Sequence, residues 1–98
     1  SYNKKGVRVN KNDLVNQVSD NTGLSKSDSA KAVDSVLDTI TDTLKSGGDV
    51  RLVGFGTFLV SKRKATTGRN PQTGASINIP AANVPKFRAG KALKESLN

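Results

Sequence analysis

Apolar residues recur at steps of three and four through the first half of the chain, a spacing that predicts helices. Asn10 reads as the N-cap of a first helix, with Asp13 at N3. Leu14, Val15 and Val18 fall on one face of it. Asn21-Thr22-Gly23 ends it, and Gly23 suits a left-handed C-terminal position. Ser25-Lys26-Ser27-Asp28 is close to a capping box, with Asp in place of Glu. Behind it Ala30, Val33, Leu37, Ile40 and Leu44 form the clearest stripe in the chain, and Val36 widens it. Asp34, Asp38 and Asp42 make an acidic edge opposite that stripe. Lys45 falls in the last turn, and Ser46-Gly47-Gly48 stops the helix. The two helices predict a helical hairpin whose apolar stripe needs a cover.

The period then changes to that of strands. Val50 to Val60 predicts strand, tight turn, strand, with Gly54 and Gly56 supplying unusual backbone angles and Phe55 and Phe58 packing on the helices. Residues 61–67 are almost devoid of apolar side chains. Gly68-Arg69-Asn70-Pro71-Gln72-Thr73-Gly74 is a turn by composition, and Ala75 to Ile79 resumes an alternation. Residues 61–79 therefore predict a polar, basic hairpin. At ~3.3 Å per residue its limbs of eight or nine residues would reach roughly 25–30 Å, a ribbon with little reason to lie on a core. Without a ligand, a mobile basic loop is an equally consistent form. Pro80 and Pro85 bracket a stretch expected to be irregular, an edge or a bulge, with Phe87 returning to the core. Ala89 to Leu97 predicts a short last helix, and residues 1–8 a flexible basic tail.

Charge sharpens this picture. The 98 residues carry a net charge of +8, with hydrophobic residues at only 34%. Residues 1–50 hold seven basic and seven acidic side chains, whereas residues 51–98 hold nine basic ones against Glu95 alone. The second half therefore carries the whole imbalance, and a one-signed half attracts polyanions, nucleic acid foremost. Cysteine and histidine are absent. That excludes disulfides, zinc sites of the usual Cys/His kind, thiol nucleophiles and imidazole acid–base chemistry. Gly54-Phe55-Gly56 is no dinucleotide fingerprint, because Leu59 stands where the third glycine would fall and no helix follows. With no bilayer-length apolar run and no secretory signal, a soluble intracellular protein is expected. Ser1 in place of Met implies a processed or trimmed start. A core this lean, in a chain with no covalent or metal staple, favours oligomerisation.

Several segments together closely resemble the HU family of bacterial histone-like, DNA-bending nucleoid proteins, related to integration host factor. They are Leu52-Val53-Gly54-Phe55-Gly56-Thr57-Phe58, Thr67 to Gly74, Ala81-Ala82-Asn83-Val84-Pro85 and Ala89-Gly90-Lys91-Ala92-Leu93-Lys94. The likeness runs from about Val9 to Asn98, and the chain is more similar to HU than to integration host factor. It implies an α+β fold in an intertwined dimer, with a helical hairpin body and a three-stranded antiparallel sheet. A protruding β-ribbon arm, about 61–80, and a short C-terminal helix complete it. It implies a non-enzymatic protein that binds double-stranded DNA with little sequence specificity, bends it through the minor groove and organises the bacterial nucleoid. The implied subunit partner is a second copy or a closely related HU chain, with no cofactor, metal or membrane.

The implied roles fall on particular residues. Pro71 matches the arm-tip proline, a rigid ring that can wedge between base pairs, although by itself it reads as a turn former. The donors of Arg69, Asn70 and Gln72 suit minor-groove acceptors and sugars. Lys62, Arg63 and Lys64 on the approach limb suit phosphates, and Arg63 matches a family arginine. Lys11, Lys26 and Lys91 fall where HU proteins place body lysines, and Arg88 and Lys94 add charge near the last helix. The resemblance also pairs Lys11 with Asp34. Three departures stand out. Residues 1–8 extend beyond the usual start and add Lys4, Lys5 and Arg8. Ala75-Ser76 replaces a common Lys-Glu, and Thr66 replaces a frequent basic residue. Other readings remain open: a site-preferring bender like integration host factor, or a binder of RNA or of nicked or cruciform DNA.

Overall fold

The computed structural model describes residues 6–98; the tail expected over residues 1–8 lies, for residues 1–5, outside the described residues. Two compact units divide the chain, one ending at Thr39 and one running from Ile40 to Asn98. The element order is α1 (Lys11–Thr22), α2 (Lys26–Lys45), β1 (Val50–Leu52), β2 (Gly56–Arg63), β3 (Thr66–Arg69), β4 (Ser76–Ile79), β5 (Ala82–Ala89) and α3 (Lys91–Ser96).

The first unit is built by its caps. The Asp13 N–H donates to Asn10 Oδ1 at 2.8 Å, and the Asn10 N–H donates to Asp13 Oδ2 at 3.2 Å. This reciprocal box satisfies two donors that an α-helix start otherwise leaves open. Gly23, at φ 76°, closes α1 through an N–H bond to the Ser19 carbonyl. The Asp28 N–H donates to Ser25 Oγ at 3.0 Å and starts α2. Between the helices Val15, Val33 and Ser29 are buried, and Ser29 is completely enclosed. Val36 and Leu37 of the predicted stripe remain 57% and 43% exposed, so the hairpin covers only part of its apolar face.

The second unit contains an antiparallel sheet in the order β1-β2-β5 and a separate two-stranded ribbon of β3 and β4. Gly54, at φ 85°, makes the turn between β1 and β2. Gly56 does not have the unusual angle expected of it. A Cβ there would meet Phe87 Cζ at 2.5 Å and the Arg88 carbonyl oxygen at 2.7 Å, so close approach of strands excludes a side chain. Phe58 and Phe87 are register partners with ring centroids 4.8 Å apart, and Phe55 lies 5.5 Å from Phe87. The phenylalanines thus form one tilted cluster, in the geometry aromatic rings favour.

Three expectations need correction. The stretch bracketed by Pro80 and Pro85 lies at an edge as expected but is not irregular beyond residue 81: from Ala82 it belongs to a regular strand, Ala82–Ala89, that contains Pro85. The strand lies at the sheet edge, where a missing N–H costs no ladder bond. The paired limbs of the ribbon are four residues each, shorter than the eight or nine predicted, because pairing breaks at residues 64–65 and 80–81. The last helix is Lys91–Ser96, shorter at both ends than Ala89 to Leu97.

Candidate nucleic-acid interface

The ribbon pairs Thr66 with Ile79, Thr67 with Asn78, Gly68 with Ile77 and Arg69 with Ser76. Side chains alternate across a strand, so Thr67, Arg69, Ser76 and Asn78 share a polar face while Ile77 and Ile79 share the other with Gly68. At the tip the chain reverses over residues 70–75. The Asn70 N–H donates to the Ala75 carbonyl at 2.8 Å, and the Gly74 N–H donates to the Asn70 carbonyl at 2.7 Å. Asn70 Oδ1 accepts from the Gln72 N–H at 2.8 Å and from the Thr73 N–H at 3.4 Å. The side chain of Asn70 therefore bridges over Pro71 and braces the reversal, as Asn does in Asx turns. Gly74, at φ 72°, completes it. Pro71 is exposed at the apex, with Arg69 and Gln72 exposed beside it.

Of the approach-limb cations, Lys62 and Arg63 are adjacent in β2 and so point to opposite sheet faces. Lys64 is exposed in the gap before β3. The Arg63 guanidinium donates through Nη2 to the Pro80 carbonyl at 3.1 Å.

The register also reveals two cations that sequence reasoning missed, Arg51 and Lys86, beside Arg63 and Arg88. Arg51 pairs with Thr57 and Thr57 with Arg88, while Leu59 pairs with Lys86. Arg51, Lys86, Arg88 and Arg63 therefore belong to one face of the three-stranded sheet, and Phe58 and Phe87 to the other. A shallow depression on the basic face is lined by Leu59, Ser61, Lys86 and Arg88, with Phe87 at its margin. The signal was present in the alternation Lys86-Phe87-Arg88, which an irregular reading of that stretch obscured.

Lys11 and Lys26 each occupy the first position of a helix. Lys11 Nζ lies 2.5 Å from Asp34 Oδ1, with both side chains half exposed or more. The hydrogen bond to Asp34 and its charge raise the Lys11 pKa above the ordinary 10.5, slight desolvation opposes them, and Asp38 adds a smaller upward pull. Lys91 lies 3.8 Å from Glu95 one turn on, and Lys94 is exposed in the same helix. No group of metal-ligating side chains is found among the described residues. The second unit carries cations and amide donors on a sheet face and a ribbon, and the first carries Lys11 and Lys26 at its helix starts. Such groups suit contact with an anionic backbone.

Comparison with known proteins agrees with that chemistry. Residues 9–98 match the family model described as bacterial DNA-binding protein. The DNA-binding protein HRm of Rhizobium meliloti is 61% identical over 90 residues, covering 92% of this chain and all of that one. DNA-binding protein HU 1 of Bacillus subtilis is 55% identical, covering 91% of this chain and 97% of its own. Among solved structures, an Anabaena HU–DNA cocrystal superposes with a TM-score of 0.86 at 40% identity, over 91% of this chain and 97% of that one. The chain belongs to the bacterial DNA-binding protein family that includes HU, a family of DNA binders and not of enzymes.

Proposed function

We propose that the protein is a histone-like architectural factor that binds double-stranded DNA with little sequence specificity, bends it at the arm tips and organises the nucleoid. The observation that carries this reading is the tip geometry: a rigid exposed Pro71 held at the apex of a narrow ribbon by the Asn70 side chain. A ring with no N–H, presented on a braced turn, can enter between base pairs from the minor groove. The unstacking costs about a few kcal/mol per step and is offset by contacts along the bent duplex. Arg69 and Gln72 flank the wedge and meet the degenerate minor-groove pattern, which reads sequence poorly. Arg51, Arg63, Lys86 and Arg88 on the sheet, with Lys62, Lys64, Lys26, Lys91 and Lys94, supply phosphate contacts that carry no sequence information. The Anabaena relative crystallised together with DNA, which supports the choice of ligand.

The working unit is a pair of chains, homodimeric or with a closely related subunit. Among the described residues only Val15 and Val33 are buried hydrophobic side chains, too few to hold a domain of this length. In the first unit an open patch of Leu14, Val18, Ala32, Val33, Val36 and Leu37 has no polar lining. In the second, Phe55 and Phe87 are 46% and 42% exposed. A second copy burying these faces completes the core and doubles the +8 charge. Single-strand or RNA binding as the main role is disfavoured. Such binders stack bases on free aromatic faces, whereas Phe55 and Phe58 here pack tilted against Phe87.

The test is a titration of end-labelled duplexes of unrelated sequence, about 35 base pairs long, read by energy transfer at several salt concentrations. The expected result is salt-steep binding with the ends drawn together equally for all sequences. Binding without end approach removes the bending mechanism. A sharp preference for one duplex favours a site-specific bender.

A further inference from the structure

The ribbon is not a simple continuation of the sheet. The β2–β5 ladder ends at Arg63 opposite Ala82, and the β3–β4 ladder starts at Thr66 opposite Ile79. Between them lie Lys64 and Ala65 on one limb and Pro80 and Ala81 on the other, outside both ladders. Pro80 has no N–H with which to pair. A strand pair that loses its ladder on both limbs at one level has lost what resists bending there, so this level is the root about which the ribbon can swing.

One side-chain bond crosses from limb to limb at that root. The Arg63 guanidinium, at the last paired position of β2, donates to the carbonyl of Pro80, just before β5 begins. Arg63 belongs to the sheet face that carries Arg51, Lys86 and Arg88. A guanidinium has five donors in a fixed plane, so the bond to Pro80 leaves others for an acceptor outside the protein. An ammonium has the same charge but no such fork.

The geometry points to Arg63 as a positioning residue. It latches the two limbs at the root of the arm through the Pro80 carbonyl, sets the angle at which Pro71 is presented, and offers its remaining donors to a DNA phosphate. Its DNA-facing half rests on the architectural reading above; the latch itself belongs to the free protein.

The experiment compares wild type with Arg63→Lys and Arg63→Ala by backbone 15N relaxation without DNA, then by end-to-end energy transfer on DNA across a salt series. Arg63 is exposed, so both variants are expected to fold, which unchanged relaxation in β1 and β2 verifies. Without DNA, order parameters across residues 66–79 are expected to fall toward ~0.6 in both variants, the range of flexible backbone. On DNA, Arg63→Ala is expected to reduce the salt slope by about one. Arg63→Lys, which retains the charge, is expected to keep that slope but broaden the end-to-end distances. A lysine variant whose arm is as ordered as wild type overturns the latch. A lysine variant that loosens the arm yet bends DNA with the wild-type distribution overturns the positioning role. If wild type itself fails to draw the ends together, the architectural reading fails, and the arm-order comparison still decides the latch.

Discussion

Ser29 is the most enclosed side chain among the described residues, and its hydroxyl has no hydrogen-bond partner. A buried unpaired hydroxyl costs free energy that folding must offset elsewhere. Ser29→Ala is expected to stabilise the protein by about 1 kcal/mol, read as a higher urea midpoint at unchanged slope. Gly56 is the opposite case. Gly56→Ala drives a methyl into Phe87 and the Arg88 carbonyl. A loss of about 1–3 kcal/mol in the same assay is expected. Lys11 adds a pH signature. Its pKa is raised in the folded state by Asp34, so its contribution is complete below 10.5 and disappears as pH rises through the raised value. Denaturation of wild type and Lys11→Met should therefore differ at neutral pH and converge in strong alkali. A gap that persists there would mean the side chain stabilises through packing of its stem.

At the scale of elements, the arm tip divides its labour between two neighbours. Pro71 faces solvent and Asn70 holds the turn. On the proposed reading, in which Pro71 wedges and the cations hold phosphates, Pro71→Ala is expected to reduce DNA end approach severalfold more than it reduces affinity. Asn70→Ala should also impair bending, by releasing the tip. Asn70→Asp keeps the acceptor and so the turn, but its charge should weaken binding to every sequence. The helix ends were legible because capping is a matter of neighbours. Asn10, Asp13 and Gly23 behave as their spacing predicts. The strand from Ala82 to Ala89 was not, because its partner β2 lies more than a dozen residues away. Two prolines point to an irregular edge or a bulge, and only the pairing with β2 makes that edge a regular strand. The limb length of the ribbon was misjudged for a related reason, since a break in pairing at residues 64–65 and 80–81 leaves no mark in composition.

At the scale of the whole molecule, stability and assembly are expected to be linked. A pair that covers the open apolar faces is governed by mass action, so the melting temperature should rise with protein concentration. Val36→Asp, placed on the widest exposed part of the α2 stripe, is expected to abolish self-association and lower the melting temperature together. Sedimentation alongside thermal melts checks both. A concentration-independent melt at monomer mass would mean that one chain suffices despite its lean core. The charge asymmetry also belongs to this scale. Nine cations in the second half act as a field only because strand pairing gathers several of them on one sheet face.

By itself the sequence determined the helices and their caps, the polar ribbon with its Asn-Pro turn, the one-sided charge and the family resemblance. Each of these depends on residue type and short-range spacing, which physical chemistry reads locally. Only the tertiary structure decided that Gly56 is small for lack of room and that residues 82–89 form one regular strand through Pro85. It alone placed Arg51, Lys86 and Arg88 on one face and bound Arg63 to Pro80 across the arm root. These facts depend on register between distant strands, and register is set by which side chains can be packed together, not by any segment alone.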